Sequence, residues 1–333
     1  SFTAPGPLSY EKYIEHIDTG IEQDSPIAFG LHPNAEIDFR TAAADIMFKS
    51  LVELQPRSAS GAGDEGGQTP AAMAESLTND ILDRFSDIKF EPEEIGRALE
   101  EVGPYQNVFM QEMAWMNVLI TELLRSLQEL LLGFAGELTM SDAMEDLQDA
   151  LFLDRVPGSW AKRAWPSMMG LTLWLNNFKL RLNQLEDWQN NPLELPKVTW
   201  LSGLVNPQSF LTAICQVAAQ KNSWELDKLV SQTEVTKKMK ADEIDMLSRD
   251  GAFIIGASMQ GARWDGSTTS IEKSRPKEMF CEMPIMNVKG IAVDKADTKG
   301  VFMCPVYKTE FRGPTFVFRA QIKTKSAPAW WIL

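Results

Sequence analysis

The sequence has few of the residues on which catalytic and metal sites depend. It contains only two histidines, His16 and His32, and three cysteines, Cys215, Cys281 and Cys304, with no C-x-x-C pair. Two histidines leave few candidates for a histidine-based catalytic triad or a multi-histidine metal site, and the cysteine pattern disfavours a disulfide framework or a thiolate zinc site. A reducing, intracellular setting fits this cysteine usage. We expect no catalytic residue and no metal site in this chain.

Long hydrophobic runs and an excess of positive charge are also missing. No apolar run approaches the ~18 residues of a transmembrane helix, and a net charge of −14 argues against nucleic acid or an anionic membrane as a partner, because both require clustered Lys and Arg. The chain opens with SFTAPGPLSY, which has neither an initiator methionine nor the apolar core of a signal peptide. We therefore expect it to be a piece of a longer protein.

Charge is distributed unevenly along the sequence. Residues 250 to 333 carry 12 Lys and Arg against 8 Asp and Glu, net +4, which leaves 20 against 38, net −18, for residues 1 to 249. This break near residue 250 indicates two differently built units. A sharper hypothesis is that the basic unit docks onto an acidic neighbour.

The first 249 residues show mainly helical patterns. In YQNVFMQEMAWMNVLITELLRSLQELLLG, apolar residues recur at alternating spacings of three and four, which predicts one helix with a continuous apolar stripe. Its members are Phe109, Met113, Met116, Ile120, Leu123, Leu127 and Leu130. Thr139 and Asp142 have capping-box spacing for the next helix, and Asn206 followed by Pro207 predicts a cap and first turn. The sequence therefore predicts a helical bundle over this region.

After residue 250 the periodicity changes to two. TFVFRAQIKT alternates, which places Phe316, Phe318, Ala320 and Ile322 on one side and the intervening residues on the other. Further short apolar segments, each bounded by Gly, Pro or charged residues, predict about five or six antiparallel strands in total. A small barrel or sandwich buries the edges of such strands best. The sequence stops at WWIL, so we expect the last strand to be truncated.

The stretch GAGDEGGQT, residues 61 to 69, matches the glycine spacing of a dinucleotide-binding turn with Gly61, Gly63 and Gly66. A phosphate cradle needs a strand before the loop and a helix directly after it. Pro56 and the small residues Ser58, Ala59 and Ser60 precede this loop, and lysine is absent where a P-loop needs it. We therefore predict a mobile surface loop and no cofactor site.

Two short segments carry candidate functional side chains. In GARWD, residues 261 to 265, Arg263 offers a bidentate fork and Trp264 a flat apolar face, a combination typical of recognition anchors. The alternative, that Trp264 is core and Arg263 pairs with a neighbour, is equally open. For His32, which Pro33 holds in extended or turn geometry, we expect a structural hydrogen bond rather than catalysis.

Eight sequence blocks are spread across nearly the whole sequence. They are FGLHPNAEI (29–37), LQPRSASGAG (54–63), FMQEMAWMN (109–117), GELTMSDAMEDLQDALF (136–152), VPGSWAKRAWPS (156–167), WLSGLVNPQSFLTAI (200–214), GARWD (261–265) and CPVYKTEFRGPTFVF (304–318). In this order they resemble one family, the C-terminal region of dynein heavy chains, and their sequence is most similar to that of axonemal outer-arm chains.

The resemblance implies an α+β fold in three parts. Residues 1–40 would end the lid of the sixth AAA+ module, residues 41–249 would form the helical part, and residues 250–333 would form a small antiparallel β-barrel. ATP and Mg²⁺ would be bound by earlier modules, with no cofactor in this segment. Candidate interface residues are Arg263, Trp264, Trp200, Phe210 and Arg312.

The implied role is a non-catalytic cap of the motor ring. Its partners would be AAA+ modules of the same heavy chain, microtubules only indirectly, and other dynein chains as further candidates, in the cytoplasm and the ciliary or flagellar axoneme. Two alternatives stay open: a ligand- or peptide-binding β-barrel on a helical scaffold, and a nucleotide-dependent enzyme using the glycine loop.

Overall fold

The computed structural model describes residues 6–20, 31–53, 69–296, 299–309 and 312–325. Residues 61–68 of the glycine-rich loop and the terminal WWIL lie outside the described residues, so the predictions made for them are not addressed by the structure. Within the described ranges, no helix combines the length and the apolar content needed to cross a membrane.

The helical part is built around one long central helix. Helix α1 spans Tyr10–Gly20 and α2 spans Asn34–Glu53. They are followed by α3 (Pro70–Phe85), α4 (Pro92–Ala98), α5 (Pro104–Phe134), α6 (Asp142–Phe152), α7 (Gly158–Ala161), α8 (Leu171–Asn190) and α9 (Pro207–Asn222). Helices α3, α4, α6, α8 and α9 all contact α5. The predicted bundle is confirmed over this region.

Helix α5 buries the apolar stripe that the sequence predicts. Pro104 occupies its first turn, where the missing N–H is tolerated, directly after Gly103. All seven stripe residues are buried, and Phe109 stacks on Trp188 of α8 with ring centroids 4.8 Å apart. The stripe is therefore the seam on which the surrounding helices pack.

Tryptophans of the segment between α6 and α8 complete the helical core. Trp165 stacks on Trp174 at 5.1 Å between ring centroids, and Trp160 lies 6.1 Å from Trp174. The Trp160 indole N–H donates to the Ser126 hydroxyl of α5 at 2.9 Å. This bond satisfies the one polar atom of a fully buried ring and fixes the connecting segment against α5.

The strands form one four-stranded sheet and three two-stranded sheets. The larger sheet has the order β1–β3–β8–β2, with β1 (Val198–Trp200), β2 (Leu229–Val235), β3 (Gly251–Ile255) and β8 (Met286–Ala292). Within this sheet β1 and β3 are parallel, and the pairs β3–β8 and β8–β2 are antiparallel. The pairs are β4 (Ser258–Gln260) with β7 (Phe280–Glu282), β5 (Ala262–Asp265) with β6 (Ser270–Lys273), and β9 (Val301–Tyr307) with β10 (Phe316–Lys323).

The α+β class is confirmed, whereas a closed barrel is not. Among the described strands, no hydrogen-bonded ladder closes into a ring, because the sheets are short and separate. Strands also begin before residue 250: β1 and β2 lie in the region predicted as mainly helical. Seven residue pairs with β8 stabilise β2 as a strand, a long-range contact that local periodicity does not reveal.

Helix α9 joins the helical part to the sheet. It packs on β8, where a Cβ at Gly290 would lie 2.8 Å from the Ala218 Cβ. Glycine at this position therefore permits the close approach of strand and helix. Helices α3 to α9 and the larger sheet consequently share one continuous hydrophobic core.

Candidate interaction surfaces

The segment before α2 is fixed to a loop that lies far away in the sequence. The His32 Nε2 lies 3.2 Å from the Ser274 carbonyl oxygen, and its Nδ1 accepts the backbone N–H of Asn34 at 3.1 Å. This arrangement requires the neutral tautomer with the proton on Nε2. The predicted structural hydrogen bond of His32 is confirmed.

Asn34 makes three further hydrogen bonds to the same loop. Its side-chain amide donates to the carbonyl oxygens of Arg275 and Glu278, both at 3.0 Å, and its Oδ1 accepts the N–H of Lys277 at 2.7 Å. Lys277 has a φ of 70°, which is unfavourable for a residue with a side chain. The contact with Asn34 therefore stabilises a strained loop, and we call residues 32, 34 and 274–278 the N-terminal anchor.

Arg263 and Trp264 of GARWD both lie on β5. Trp264 is buried in the core. Arg263 lies mostly buried on β5, with its Nε 3.2 Å from Glu278 Oε2, although that N–H does not point at the oxygen. The structure thus matches the alternative in which Trp264 is core and Arg263 pairs with a neighbour, here a residue of the N-terminal anchor.

The other three candidate interface residues occupy different environments. Phe210, named as a candidate interface residue, has no exposed surface in this chain and packs against Phe109 and Tyr105. Trp200 is partly exposed, and its ring lies 5.4 Å from the Arg181 guanidinium. Arg312 is exposed. The five residues therefore do not form one surface.

A buried carboxylate on α5 organises the segment between β1 and α9. Glu112 is 3% exposed, and its two carboxylate oxygens accept the backbone N–H groups of Val205 and Asn206, both at 2.7 Å. Burial raises the pKa of Glu112, while the two hydrogen bonds oppose that rise. The carboxylate thereby satisfies two donors at the start of α9.

Two cations lie close to this carboxylate. Arg181 of α8 is 5% exposed, donates from Nε to the Asn177 Oδ1 at 2.8 Å, and covers the Trp165 ring at 3.9 Å. Burial lowers its pKa to about 9, and the charge of Glu112 opposes that shift. Lys308, directly after β9, donates from Nζ to the Val205 carbonyl oxygen at 2.8 Å. We call Glu112, Arg181 and Lys308 the buried charge cluster after its first two members, since Lys308 itself is exposed. The cluster connects α5, α8 and the β9–β10 hairpin.

Local sequence patterns do not reveal this cluster, although the sequence of α5 contains one signal for it. Glu112 lies three residues after Phe109 and four before Met116, which places it on the apolar stripe of α5. A carboxylate on an apolar face is almost never buried without a partner. The partners are backbone groups and distant cations, which the sequence does not specify.

The β9–β10 hairpin presents a groove with mixed apolar and basic character. A cavity of about 420 Å³ is lined by Met303, Pro305, Tyr307, Phe316 and Arg319, which we call the hairpin surface. Phe316 and Tyr307 meet edge to face at 5.9 Å between ring centroids. Phe316 is exposed because the register shifts between Phe316 and Phe318, which removes it from the predicted buried side of β10.

A second groove lies between α5 and α9. Its volume is about 1020 Å³, and it is lined mainly by amide and hydroxyl side chains, among them Asn107, Gln111, Gln208, Thr212 and Gln216. The side chains that line this groove include none with a charge. It therefore offers hydrogen bonds but no electrostatic selectivity.

Helix α2 exposes a large apolar surface. Phe39, Ile46, Met47, Phe48 and Leu51 are each more than half exposed. Three of them are consecutive, so they cannot share one face of a helix whose residues are ~100° apart. A helix that is apolar on several sides is normally buried.

Within the described residues, groups suited to metal binding or thiol chemistry are scarce. No group of three or more His, Cys, Asp or Glu side chains within them could hold a metal ion. Cys215, Cys281 and Cys304 are free thiols, and burial raises the pKa of Cys215 and Cys304, which favours the unreactive thiol form.

Known proteins provide an independent comparison. A family model for the C-terminal domain of the dynein heavy chain matches residues 41–333. The sequence is 46% identical to the dynein beta chain, flagellar outer arm, of Chlamydomonas reinhardtii over 99% of its length. It is 46% identical to the ciliary dynein beta chain of Tripneustes gratilla and 44% identical to human dynein axonemal heavy chain 9, each over 100% of its length.

The extent of these matches decides what they establish. The chain spans only 7% of the length of each of these relatives, so their activities and partners do not pass directly to it. The family model, however, matches most of the sequence, and the identities extend from end to end. The protein therefore belongs to the family of C-terminal domains of dynein heavy chains.

Proposed function

We propose that the protein forms a non-catalytic structural and regulatory cap of a dynein motor ring. In this role it braces AAA+ modules of the same heavy chain and tunes ATP-driven force generation on microtubules in cilia or flagella. The observation that carries the proposal is the exposed apolar surface of α2.

Helix α2 needs a partner outside the described residues. It runs for 20 residues, and none of its described apolar side chains is buried. An apolar patch of this kind is rare on the surface of an isolated protein and marks a contact site. Because the chain spans only 7% of the length of the flagellar outer-arm relative, other modules of the heavy chain are the natural cover.

One polar connection links α2 to the β-unit, and a second links the central helix to the β-unit. The N-terminal anchor joins the first turn of α2 to the loop between β6 and β7 through four side-chain hydrogen bonds. The buried charge cluster joins the central helix to the β9–β10 hairpin. Movement of the module that covers α2 would bias the position of the β-unit through these contacts.

The remaining assignments are part of the same proposal. Residues 1–40 end the lid of the sixth AAA+ module, residues 41–249 form the helical part, and residues 250–333 form the β-unit, whose closure into a barrel needs strands beyond those described. ATP and Mg²⁺ are bound by other modules of the heavy chain. Microtubules are contacted only through the complete motor, and the site of action is the cytoplasm of the cilium or flagellum and its axoneme.

The test uses the complete heavy chain with Phe39, Ile46 and Phe48 replaced by serine. Loss of the apolar contact is expected to change the velocity of microtubule gliding and the ATPase rate, while ATP binding persists. The matched control replaces Leu173 and Leu180, exposed apolar residues on α8, by serine. Unchanged gliding in the α2 variant, or a complete loss of nucleotide binding, contradicts the proposal.

A second measurement addresses the nucleotide-enzyme alternative. Isothermal titration of the 333-residue protein with ATP or ADP and magnesium is expected to give no binding heat. Saturable binding that disappears when Gly63 and Gly66 are replaced would establish a nucleotide site and overturn the cap.

A further inference from the structure

One edge of β9 has unpaired backbone groups. Thr324 donates its N–H to the Gly300 carbonyl oxygen at 3.0 Å, so residues 300 and 324 form a hydrogen-bonded pair. In an antiparallel ladder such pairs alternate, and the register therefore turns the backbone of Phe302, Cys304 and Val306 toward β10.

The intervening residues face away from β10. The backbone groups of Val301, Met303 and Pro305 consequently point to the outer edge, where no strand within the described ranges pairs with β9. Pro305 has no N–H to offer, so this edge presents carbonyl oxygens throughout but fewer donors. An unpaired edge of this kind is a template for an added strand.

Apolar side chains accompany this edge. Met303 and Phe316 are 45% and 41% exposed, and together with Pro305 and Tyr307 they line the groove of the hairpin surface. Alternate side chains of an extended segment fit such a groove, since every second residue of a strand projects to the same face.

The charge of the hairpin strands is entirely positive. Arg319 and Lys323 are exposed on β10, and neither β9 nor β10 contains an acidic residue. Both cations belong to the basic end of an otherwise acidic sequence. A ligand with carboxylates is therefore the complementary partner.

We propose that the outer edge of β9 and the hairpin surface bind an extended acidic peptide segment of a separate polypeptide. The segment adds as a strand to β9, places apolar side chains in the groove, and directs carboxylates toward Arg319 and Lys323. Backbone hydrogen bonds supply affinity, while the groove and the two cations supply specificity. This surface goes beyond the contact proposed for α2.

A separate polypeptide fits the site better than a permanent internal contact does. Obligate interfaces are large and mostly apolar, whereas weak and reversible contacts are small and carry charge. The hairpin surface consists of one seven-residue edge and a groove of about 420 Å³ with cations beside it. These dimensions suit a short segment that binds and dissociates.

The first test measures fluorescence anisotropy of a labelled nine-residue peptide whose odd positions alternate between valine and glutamate, with threonine at every even position. Apolar and acidic side chains then project to the same face of the added strand. The 333-residue protein is expected to bind it, and affinity is expected to fall as salt is raised. Reversing charge in Lys323→Glu is expected to weaken binding about tenfold, because one charge-assisted contact is lost. The control Lys162→Glu makes the same charge change in the helical part and is expected to leave binding unchanged.

A second test examines strand addition without altering the protein. Two peptides carry N-methyl groups on alternate amides, one on the odd positions and one on the even positions. Because successive amides of a strand point to opposite edges, only one of the two is expected to bind. Equal binding of both, or equal binding of a peptide with lysine in place of glutamate, overturns the proposal.

A truncation tests whether the protein's own C-terminal residues occupy the outer edge of β9. Residues 326–333 follow β10 closely, and their deletion is expected to leave peptide affinity unchanged. If the peptide binds only after that deletion, the protein's own C-terminal residues occupy the edge, and the assignment to a separate polypeptide is wrong.

Discussion

Replacing Glu112 by glutamine tests whether the buried charge cluster stabilises the fold. The carboxylate accepts two backbone N–H groups at 2.7 Å, one on each oxygen. Glutamine has nearly the same shape but only one oxygen, so its amide nitrogen must face either Val205 N–H or Asn206 N–H. One buried donor then loses its acceptor and meets another donor.

The magnitude follows from this geometry. A buried donor left without an acceptor is destabilising by about 1–3 kcal/mol, and hydrogen bonds to charged groups lie at the upper end. The desolvation that raises the pKa of Glu112 acts in the opposite direction, because the neutral amide is easier to bury. We therefore expect the variant to lose about 2 kcal/mol of unfolding free energy.

Urea denaturation followed by tryptophan fluorescence measures this loss. The matched control is Glu129→Gln on the same helix, where the carboxylate pairs with Arg125 and is 43% exposed. Exposed ion pairs contribute about 0.2–1 kcal/mol, so the control is expected to change little. If both variants lose the same free energy, the two backbone hydrogen bonds do not stabilise the fold as argued.

Three further predictions concern pH, a close approach and the N-terminal anchor. Because the pKa of Glu112 is raised, the folded state binds this proton more tightly than the unfolded state does. The contribution of protonated Glu112 to the free energy of unfolding is therefore fully present below the ordinary pKa of 4.5 and is lost as pH rises through the folded pKa. The difference in unfolding free energy between wild type and Glu112→Gln should therefore be larger at pH 4.5 than at about pH 8, and a difference that grows with pH would refute this sign. Gly251→Ala places a Cβ against the Val288 carbonyl oxygen of β8 and should be destabilising by about 3 kcal/mol in urea denaturation. Gly266→Ala, whose Cβ would meet nothing within 4 Å, should leave stability unchanged, and equal midpoints for the two variants would argue against the clash. Asn34→Ala removes the acceptor of the Lys277 N–H and should speed hydrogen exchange of that amide about tenfold, and an unchanged rate would mean that Asn34 does not hold the loop.

Local patterns in the sequence predict the helical core well. The stripe of α5 follows from spacing alone, because one buried face of a helix repeats every three or four residues. Asn206 caps α9 as predicted, with its side chain accepting the Ser209 N–H, and Pro207 occupies the first turn. The start of α6 is predicted less accurately: its N-cap is Ser141 rather than Thr139, because several polar residues there can end the preceding turn.

Features that depend on distant residues are absent from such patterns. The bulge that exposes Phe316 comes from pairing with β9, and β2 is a strand because β8 lies beside it. An aromatic ring in the core and one at an interface have the same sequence signature, which is why the sequence suggests Phe210 as a contact although it is fully buried. The acceptors and donors of the buried charge cluster are likewise set by tertiary structure.

The N-terminal anchor has a consequence for the biosynthesis of the protein. His32 and its partner Ser274 are separated by 242 residues. At a synthesis rate of about 5–20 residues per second, the loop that receives His32 and Asn34 leaves the ribosome roughly 10–50 s after they do. During that interval the segment before α2 has no loop to bind, and the exposed apolar helix beside it depends on other contacts or on chaperones. A nascent polypeptide that stops before residue 274 would leave its first-made segment unanchored.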